Sequence, residues 1–323
     1  MRLIPGLAAR RPRAVLQVAA AVAIACATVV ASTLVPSGAG RTPPAIVFAP
    51  DAAAAQALPG WAALPWPDQG QSSVVVEGVG SLGTRGEQRP VPIASVTKVM
   101  TAYVVLEDHP LGSREDEGPT ITVDQQAADE SHSKEESTAP VRAGQQLTER
   151  QLLLLMMLPS GNNIARLLAR WDAGSEQAFV AKMNDRARSL GMRNTSYTGA
   201  SGIQSDTTST SDDQLVLARQ AMAVPALAAV VGTESTTVPG VPGTVRNTNT
   251  LVGRDGVVGL KTGSSTPAGG ALVWAAQAST SSGPRLVIGV VLQQDAGQPP
   301  AEGLRTVLRV SHKLITAIQD GLR

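Results

Sequence analysis

The chain has one cysteine and three histidines among its 323 residues, and both shortages restrict its chemistry. Cys26 lies inside an apolar N-terminal run, so the residues after it can form no disulfide. His109, His132 and His312 lie far apart, and no G-x-S-x-G turn occurs, so a Ser-His-Asp hydrolase has no support. A zinc peptidase would need clustered ligands such as H-E-x-x-H, and the sequence has none.

Strong charge of either sign is also missing. The formal net charge is +1, and the sequence contains no glycine-rich phosphate loop. Neither nucleic acid nor a nucleotide is therefore an expected partner. We expect neither a metal nor a cofactor, so the chemistry has to come from side chains and backbone.

Three short polar motifs are present, in a fixed order along the chain. They are Ser95-Val96-Thr97-Lys98, Ser160-Gly161-Asn162 and Lys261-Thr262-Gly263. The first opens an apolar segment with helical spacing, and residues at i and i+3 lie on one helical face. The spacing therefore predicts that the Lys98 amine lies beside the Ser95 hydroxyl.

These residue types suit acyl transfer in which lysine is the base. A serine hydroxyl needs a base to remove its proton, and Lys98 can serve if its pKa falls toward neutrality. Burial, the helix N-terminus and the second cation Lys261 could each lower that pKa. Ser160 is predicted to relay a proton to the leaving amine, and Asn162 to hold a substrate amide.

The third motif follows Asp255-Gly256 and the apolar run Val257–Leu260, which indicate a turn and then a buried strand. A glycine at position 263 allows a substrate backbone to approach the strand edge closely. The backbone N–H groups of Ser95 and Ser264 are the predicted oxyanion donors, each worth roughly 3 kcal/mol of barrier.

A second S-x-x-K occurs at Ser131-His132-Ser133-Lys134, but it lies in a polar stretch with no apolar face. We interpret the stretch from Ala128 to Ser137 as a solvated loop without chemistry.

The N-terminus combines several arginines with an uncharged apolar run from Ala14 to Val35. That run reaches the length of about 20 residues that a bilayer span requires. Residues 1–35 are predicted to be a signal anchor, or else a signal peptide, and residues 36–70 an Ala/Pro-rich linker. The catalytic domain, 71–323, is then extracytoplasmic, anchored to the cytoplasmic membrane or secreted to the cell wall.

Within 71–323, the apolar patterns predict strands near both ends and helices between them. Predicted strands are Ser72–Val79, Val257–Leu260, Ala271–Ala276 and Leu286–Leu292, the last three adjacent and antiparallel. After the Ser95 helix, predicted helices are the buried Leu152–Leu158 behind a capping box at Thr148–Gln151, then Asn163–Trp171, Ala178–Leu190, Leu215–Val224 and Glu302–Ile318. This arrangement indicates an α+β domain with one mostly antiparallel sheet.

With these motifs, the chain resembles the serine D-alanyl-D-alanine carboxypeptidases, the low-molecular-mass penicillin-binding proteins. The resemblance extends from about Gln71 to Gln293 and includes the segment Pro92–Ala102, Ser160–Asn163, Asn247–Asn249 and Gly259–Gly269. It implies the β-lactamase/DD-peptidase-like fold, a five-stranded sheet flanked by helices with a helical lobe.

The resemblance also implies a reaction. Ser95 would attack a peptidoglycan stem peptide ending in D-Ala-D-Ala, release the last D-Ala and pass the acyl group to water. Lys261 and Thr262 would recognise the terminal carboxylate, and β-lactam antibiotics would acylate the same serine.

Three other functions remain open from the sequence. A β-lactamase of the same fold would need a glutamate to activate water, but Glu176 and Glu234 lack the Glu-x-x-x-Asn context. A DD-endopeptidase acting on cross-links would use the same residues as the carboxypeptidase. A non-catalytic wall-binding protein is disfavoured because no motif residue has been lost.

Overall fold

The computed structural model describes residues 63–281 and 283–323. The predicted N-terminal anchor and the linker up to residue 62 lie outside these ranges. Within them, the strands are β1 (Gln71–Val76), β2 (Gly80–Arg85), β3 (Val91–Pro92), β4 (Thr120–Thr122), β5 (Gln146–Thr148), β6 (Thr208–Ser209), β7 (Ser235–Thr236), β8 (Val245–Arg246), β9 (Val257–Ser265), β10 (Gly269–Thr280) and β11 (Gly283–Gln294). The helices are α1 (Lys98–Asp108), α2 (Gln125–Glu130), α3 (Glu149–Met157), α4 (Asn162–Ala173), α5 (Glu176–Ser189), α6 (Ser211–Met222), α7 (Pro225–Val231) and α8 (Pro300–Leu322), with a 3₁₀ helix at Ala94–Thr97.

One five-stranded sheet organises the domain, with the strand order β2-β1-β11-β10-β9. Every neighbouring pair in it is antiparallel. The N-terminal strand β1 therefore lies beside the last strand, β11, and β9 forms one edge. The predicted α+β fold with a mostly antiparallel sheet is confirmed, as is the adjacency of its last three strands.

Both faces of this sheet are covered at its centre, which explains why β10 and β11 carry continuous buried runs rather than an alternating pattern. On β10, Leu272 and Trp274 belong to a core cluster shared with α8. Val273 and Ala275 point to the other face and join the larger cluster beneath the helical lobe. The sheet thus separates α8 from the helices that carry two of the three motifs.

The Trp274 indole packs over a glycine on the neighbouring strand β11. It pairs with Gly289, where an added Cβ would lie 2.2 Å from the indole ring. Any side chain at position 289 would therefore overlap the indole ring, so this position requires glycine.

In the helical lobe, α3 is the central helix and begins with the predicted capping box. The Thr148 side chain accepts from the Gln151 backbone N–H, and the Gln151 side chain accepts from the Thr148 N–H. The apolar run from Leu152 to Met157 is buried on all sides, as its composition predicted.

One local prediction needs correction, and several elements were not predicted, β2 and α7 among them. Ser95 lies in the 3₁₀ helix, and the α-helix begins only at Lys98. β2 was not predicted, because Leu82 is its only buried residue. α7 was not predicted either, because its seven residues are too few to show a period.

No single helix among the described residues is long and apolar enough to cross a membrane; α6 and α7, bent by 108°, pass that test only as a pair.

Candidate active site

The first motif lies where the 3₁₀ helix continues into α1. With three residues per 3₁₀ turn, positions i and i+3 are stacked. Lys98 Nζ accordingly lies 2.8 Å from Ser95 Oγ. Ser95 remains partly exposed, while Lys98 is completely buried. An accessible hydroxyl beside a buried amine is the arrangement the spacing predicted.

Three oxygen atoms surround the Lys98 amine. Besides Ser95 Oγ, Nζ lies 2.5 Å from Asn162 Oδ1 and 2.8 Å from the Ser201 carbonyl. Burial lowers the pKa of Lys98 well below its ordinary value, and the positive charges of Lys261 and Arg166 lower it further. Glu136 opposes them. A neutral Lys98 can therefore accept the proton of Ser95.

The second motif begins in the turn between α3 and α4. Ser160 has a φ of 67°, a left-handed conformation that is uncommon for a residue with a side chain. Its Oγ is buried and has no hydrogen-bond partner within the described part of the chain. Ser160 is therefore not hydrogen-bonded to Lys98 in this state, and its role as a proton relay stays a prediction. This hydroxyl is consequently available to a substrate.

Both ends of the Asn162 side chain have protein partners, and its predicted role of holding a substrate amide stays a prediction. Oδ1 accepts from Lys98, and Nδ2 donates to Glu136 Oε2 at 2.6 Å. In this state, Asn162 orients the base.

The third motif lies on β9, which packs against the 3₁₀ helix. A Cβ on Gly263 would lie 2.8 Å from the Ile93 carbonyl oxygen and 3.1 Å from Ser95 N. Glycine thus allows the strand to approach the nucleophile. Ser264, the next residue on β9, is partly exposed, and its N–H remains the predicted second oxyanion donor.

Lys261 and Thr262 complete the cleft. Lys261 is buried, donates to the Thr262 carbonyl at 3.0 Å, and has its pKa lowered by burial to about 7. Thr262 Oγ1 is 2.6 Å from Thr248 Oγ1. Thr248 also donates from its N–H and its hydroxyl to the Leu158 carbonyl, at 3.0 and 3.2 Å. Thr248 therefore ties β9 to the turn that carries Ser160.

The second S-x-x-K takes no part in the site. Ser131 Oγ donates to the Ala128 carbonyl at 2.6 Å, and Lys134 is exposed. The interpretation of its surroundings as a solvated loop was nevertheless too simple, because Glu136, in the same stretch, reaches Asn162. Arg166 on α4 donates to the same carboxylate at 2.6 and 3.2 Å.

The glutamates considered for a β-lactamase lie elsewhere. Glu176 accepts from the Ala200 N–H at 3.0 Å, and Glu234 lies against Gly253. Neither has a recorded hydrogen bond to Ser95 or Lys98 among the described residues. In the same part of the chain, no group of three or more His, Cys, Asp or Glu side chains could hold a metal ion.

The arrangement supports one kind of chemistry. A partly exposed serine has a buried amine as its proton acceptor. The turn between α3 and α4 carries a hydroxyl without a hydrogen-bond partner among the described residues, and β9 packs against the nucleophile. These are the parts needed for a covalent acyl intermediate and its hydrolysis.

Comparison with known proteins agrees with this geometry. Residues 71–296 match the family model described as D-alanyl-D-alanine carboxypeptidase. The chain is 33% identical over 237 residues to D-alanyl-D-alanine carboxypeptidase DacB2 of Mycobacterium tuberculosis, covering 71% of this chain and 77% of that protein. It is 38% identical over 143 residues to a D-alanyl-D-alanine endopeptidase of Pseudomonas aeruginosa, covering only 43% of either protein.

The crystal structure of the Streptomyces K15 DD-transpeptidase superposes with a TM-score of 0.64 at 28% identity. That match covers 76% of this chain and 96% of the other.

Proposed function

Because the chain belongs to the D-alanyl-D-alanine carboxypeptidase family, we propose that it removes the terminal D-Ala from peptidoglycan stem peptides through an acyl-enzyme on Ser95. The observation that carries the proposal is the buried, low-pKa Lys98 at 2.8 Å from the Ser95 hydroxyl, with Lys261 nearby on β9.

The reaction proceeds in two halves. Neutral Lys98 takes the proton of Ser95 as Oγ bonds to the carbonyl carbon of the penultimate D-Ala. The backbone N–H groups of Ser95 and Ser264 stabilise the oxyanion. As the C–N bond breaks, the proton passes through the Ser160 hydroxyl to the leaving amine. Water then attacks the ester carbonyl and gives a proton to Lys98, which passes it to Ser95 Oγ as the C–O bond breaks, so the shortened peptide leaves as its carboxylic acid and Ser95 is restored.

Substrate recognition falls to β9. The terminal carboxylate of the stem peptide pairs with Lys261 and with the Thr262 hydroxyl. A β-lactam antibiotic presents its carboxylate to the same groups, so its ring is opened by Ser95.

The test is intact-mass spectrometry of the full-length protein, in mild detergent, mixed with benzylpenicillin and followed over time. We expect wild type to gain the mass of one drug molecule and Ser95→Ala to gain none. Rapid loss of the drug without an adduct would instead identify a β-lactamase. Neither adduct nor loss of drug would mean a wall-binding protein with an inactive site.

Endopeptidase action uses the same residues and is favoured by the Pseudomonas aeruginosa relative. Incubation with a cross-linked muropeptide dimer and with a D-Ala-D-Ala pentapeptide separates the two activities. We expect D-Ala release from the pentapeptide to be the faster reaction.

We further propose that the catalytic domain acts outside the cytoplasmic membrane, attached to it through the N-terminal apolar run or released to the cell wall. The arginines before Ala14 and the uncharged run to Val35 support this orientation. Protease added to intact cells would degrade the domain if the proposal holds and would leave it untouched if the domain were cytoplasmic.

A further inference from the structure

Asn162 can perform its function in only one orientation of its side chain. An amide carries an acceptor at one end and donors at the other, and the two ends have nearly the same shape. Lys98 can donate to Oδ1, at 2.5 Å, but an NH₂ group turned toward it would offer the amine no acceptor. Some other group has to fix the amide.

Glu136 supplies that constraint. Its Oε2 lies 2.6 Å from Asn162 Nδ2, and a carboxylate can only accept hydrogen bonds. Nδ2 therefore faces Glu136, which leaves Oδ1 facing Lys98. The loop that carries Glu136 and Ser137, between α2 and β5, is also bound to α4, because the Asn162 N–H donates to the Ser137 carbonyl at 2.8 Å.

Arg166 holds the Glu136 carboxylate in turn. It lies four residues after Asn162 on α4, so both side chains are on the same helical face. Arg166 donates to both oxygens of Glu136, at 2.6 and 3.2 Å, and its Nε donates to Glu130 at 2.9 Å. The Arg166 and Glu136 side chains are only 11% and 15% exposed, so solvent screens this pair weakly.

We propose that Glu136 and Arg166 are a positioning pair for the acylation step: Glu136 fixes the Asn162 amide toward Lys98, and the two opposite charges set the electrostatic balance around that lysine. The proposal rests on the assignment of Lys98 as the base for Ser95. Neither residue touches the reacting atoms.

Three elements place charges around Lys98. Glu136 and Arg166 have opposite effects on the pKa of Lys98, so an experiment can distinguish their contributions. Lys261 on β9 and Arg166 on α4 lower the pKa of Lys98, whereas Glu136 on the loop raises it. Burial would raise the pKa of Glu136 itself, but hydrogen bonds from Arg166 and Asn162 keep it below its ordinary value. Glu136 is therefore charged at neutral pH.

The experiment measures the second-order rate constant for acylation by benzylpenicillin from pH 5 to pH 9, using the full-length protein. Glu136→Gln removes a negative charge, so Lys98 loses its proton more easily and the acidic limb moves to lower pH. Arg166→Gln removes a positive charge, so the limb moves to higher pH. Both variants also lose roughly tenfold or more of the maximum rate, because the amide is no longer held.

Arg170→Gln is the matched control. Arg170 follows one turn later on α4, pairs with Asp124 at 2.7 Å and lies 3.9 Å from Glu130, and it has no hydrogen bond to Asn162 or Glu136 among the described residues. Its loss should lower the melting temperature as much as Arg166→Gln does, yet leave the acidic limb in place. Glu136→Asp, which keeps the charge, should keep the limb and recover part of the rate.

The proposal would be overturned if the acidic limb of the pH–rate profile stayed in place in both Glu136→Gln and Arg166→Gln, or moved in the same direction in both. The ion pair would then have only a structural role. If Glu136→Gln does not fold, the shift in Arg166→Gln and its absence in Arg170→Gln and Glu136→Asp decide the matter. Failure of the proposed function is distinguishable, because wild type itself would then form no adduct.

Discussion

The proposed role of Lys261 requires a charged amine to bind a carboxylate, whereas the burial of this residue disfavours the charge. It is 1% exposed, and burial lowers its pKa to about 7, against an ordinary value of 10.5. The folded protein therefore releases this proton near pH 7, whereas the unfolded chain keeps it until about pH 10. Between these values the unfolded state binds more protons, so this residue makes stability rise with pH.

We predict that activity on carboxylate-terminated peptides declines above about pH 7, as Lys261 loses its charge. The measurement is kcat/KM against pH for a D-Ala-D-Ala peptide and for its C-terminal amide. The amide has no charge to pair with Lys261, so its profile should lack this decline. Equal declines for both peptides would contradict the assignment.

Lys261→Met should separate stability from function. At pH 6 the variant should be more stable by on the order of 1 kcal/mol or more, because a buried charge has been removed, and should bind the carboxylate far more weakly. Thermal unfolding and KM provide the two readings. A variant that loses both stability and binding would mean that the lysine has a structural role.

The residues that a sequence can reveal are those whose chemistry is tied to local spacing. The side chains of Ser95 and Lys98 are neighbours because positions i and i+3 lie on one helical face. Ser160 can be recognised in the sequence because it follows a long apolar helix at a turn. Glu136 and Arg166 gave no such signal, since their partners lie 26 and 30 residues away. A polar loop becomes part of a site only when the fold places it there.

Among the secondary-structure elements, the contact between β9 and the 3₁₀ helix controls the oxyanion site. The strand can approach Ser95 only because residue 263 has no side chain. We predict that Gly263→Ala pushes the two elements apart and costs roughly a hundredfold in acylation rate, since one donor is then misplaced. Stability should fall by about 1–3 kcal/mol through overpacking.

Gly112→Ala is the control for that variant. The added methyl group would lie 3.4 Å from an Asp116 oxygen, an ordinary van der Waals distance, and Gly112 has no positive φ. Its acylation rate should match wild type. A normal rate in Gly263→Ala would show that the approach of β9 is not needed for catalysis.

Element prediction succeeded where burial produced long apolar runs. β10 and α3 were both identified, since each is covered on all sides. β2 was missed, as it lies at the edge of the sheet with one buried residue, and the 3₁₀ start of the Ser95 segment was read as ordinary helix. Strand β9 extends to Ser265, beyond the predicted end at Leu260, because its polar residues line the cleft.

For the molecule as a whole, one buried carboxyl group couples stability to pH. Glu149, the first residue of α3, is fully buried, and neither carboxyl oxygen has a hydrogen-bond partner in the described ranges. Burial raises its pKa to about 8, with help from Asp116 and Asp172. The folded state keeps a proton that the unfolded chain loses near pH 4.5, so this group makes stability fall between these values.

We predict that Glu149→Gln and wild type are equally stable near pH 4 and diverge as the pH rises toward 8, with the variant melting about 2 °C higher or more. Thermal unfolding at several pH values tests this. Glu115, which is exposed on the loop between α1 and β4, provides the control, and Glu115→Gln should show no divergence. Parallel curves for Glu149→Gln and wild type would mean that the carboxyl is already ionised.

The strand order of the sheet determines when during synthesis the active site can assemble. β1 has β2 and β11 as its neighbours, so the five-stranded sheet cannot form until β9, β10 and β11 have been synthesised. A chain halted before Val257 already carries Ser95 and Lys98 but lacks Lys261, Gly263 and the strand that faces the nucleophile. In the folded protein Lys98 is fully buried and Lys261 lowers its pKa, and a chain without β9 lacks that second cation. We therefore expect Ser95 to become reactive only after β9, β10 and β11 have been synthesised and the five-stranded sheet has formed.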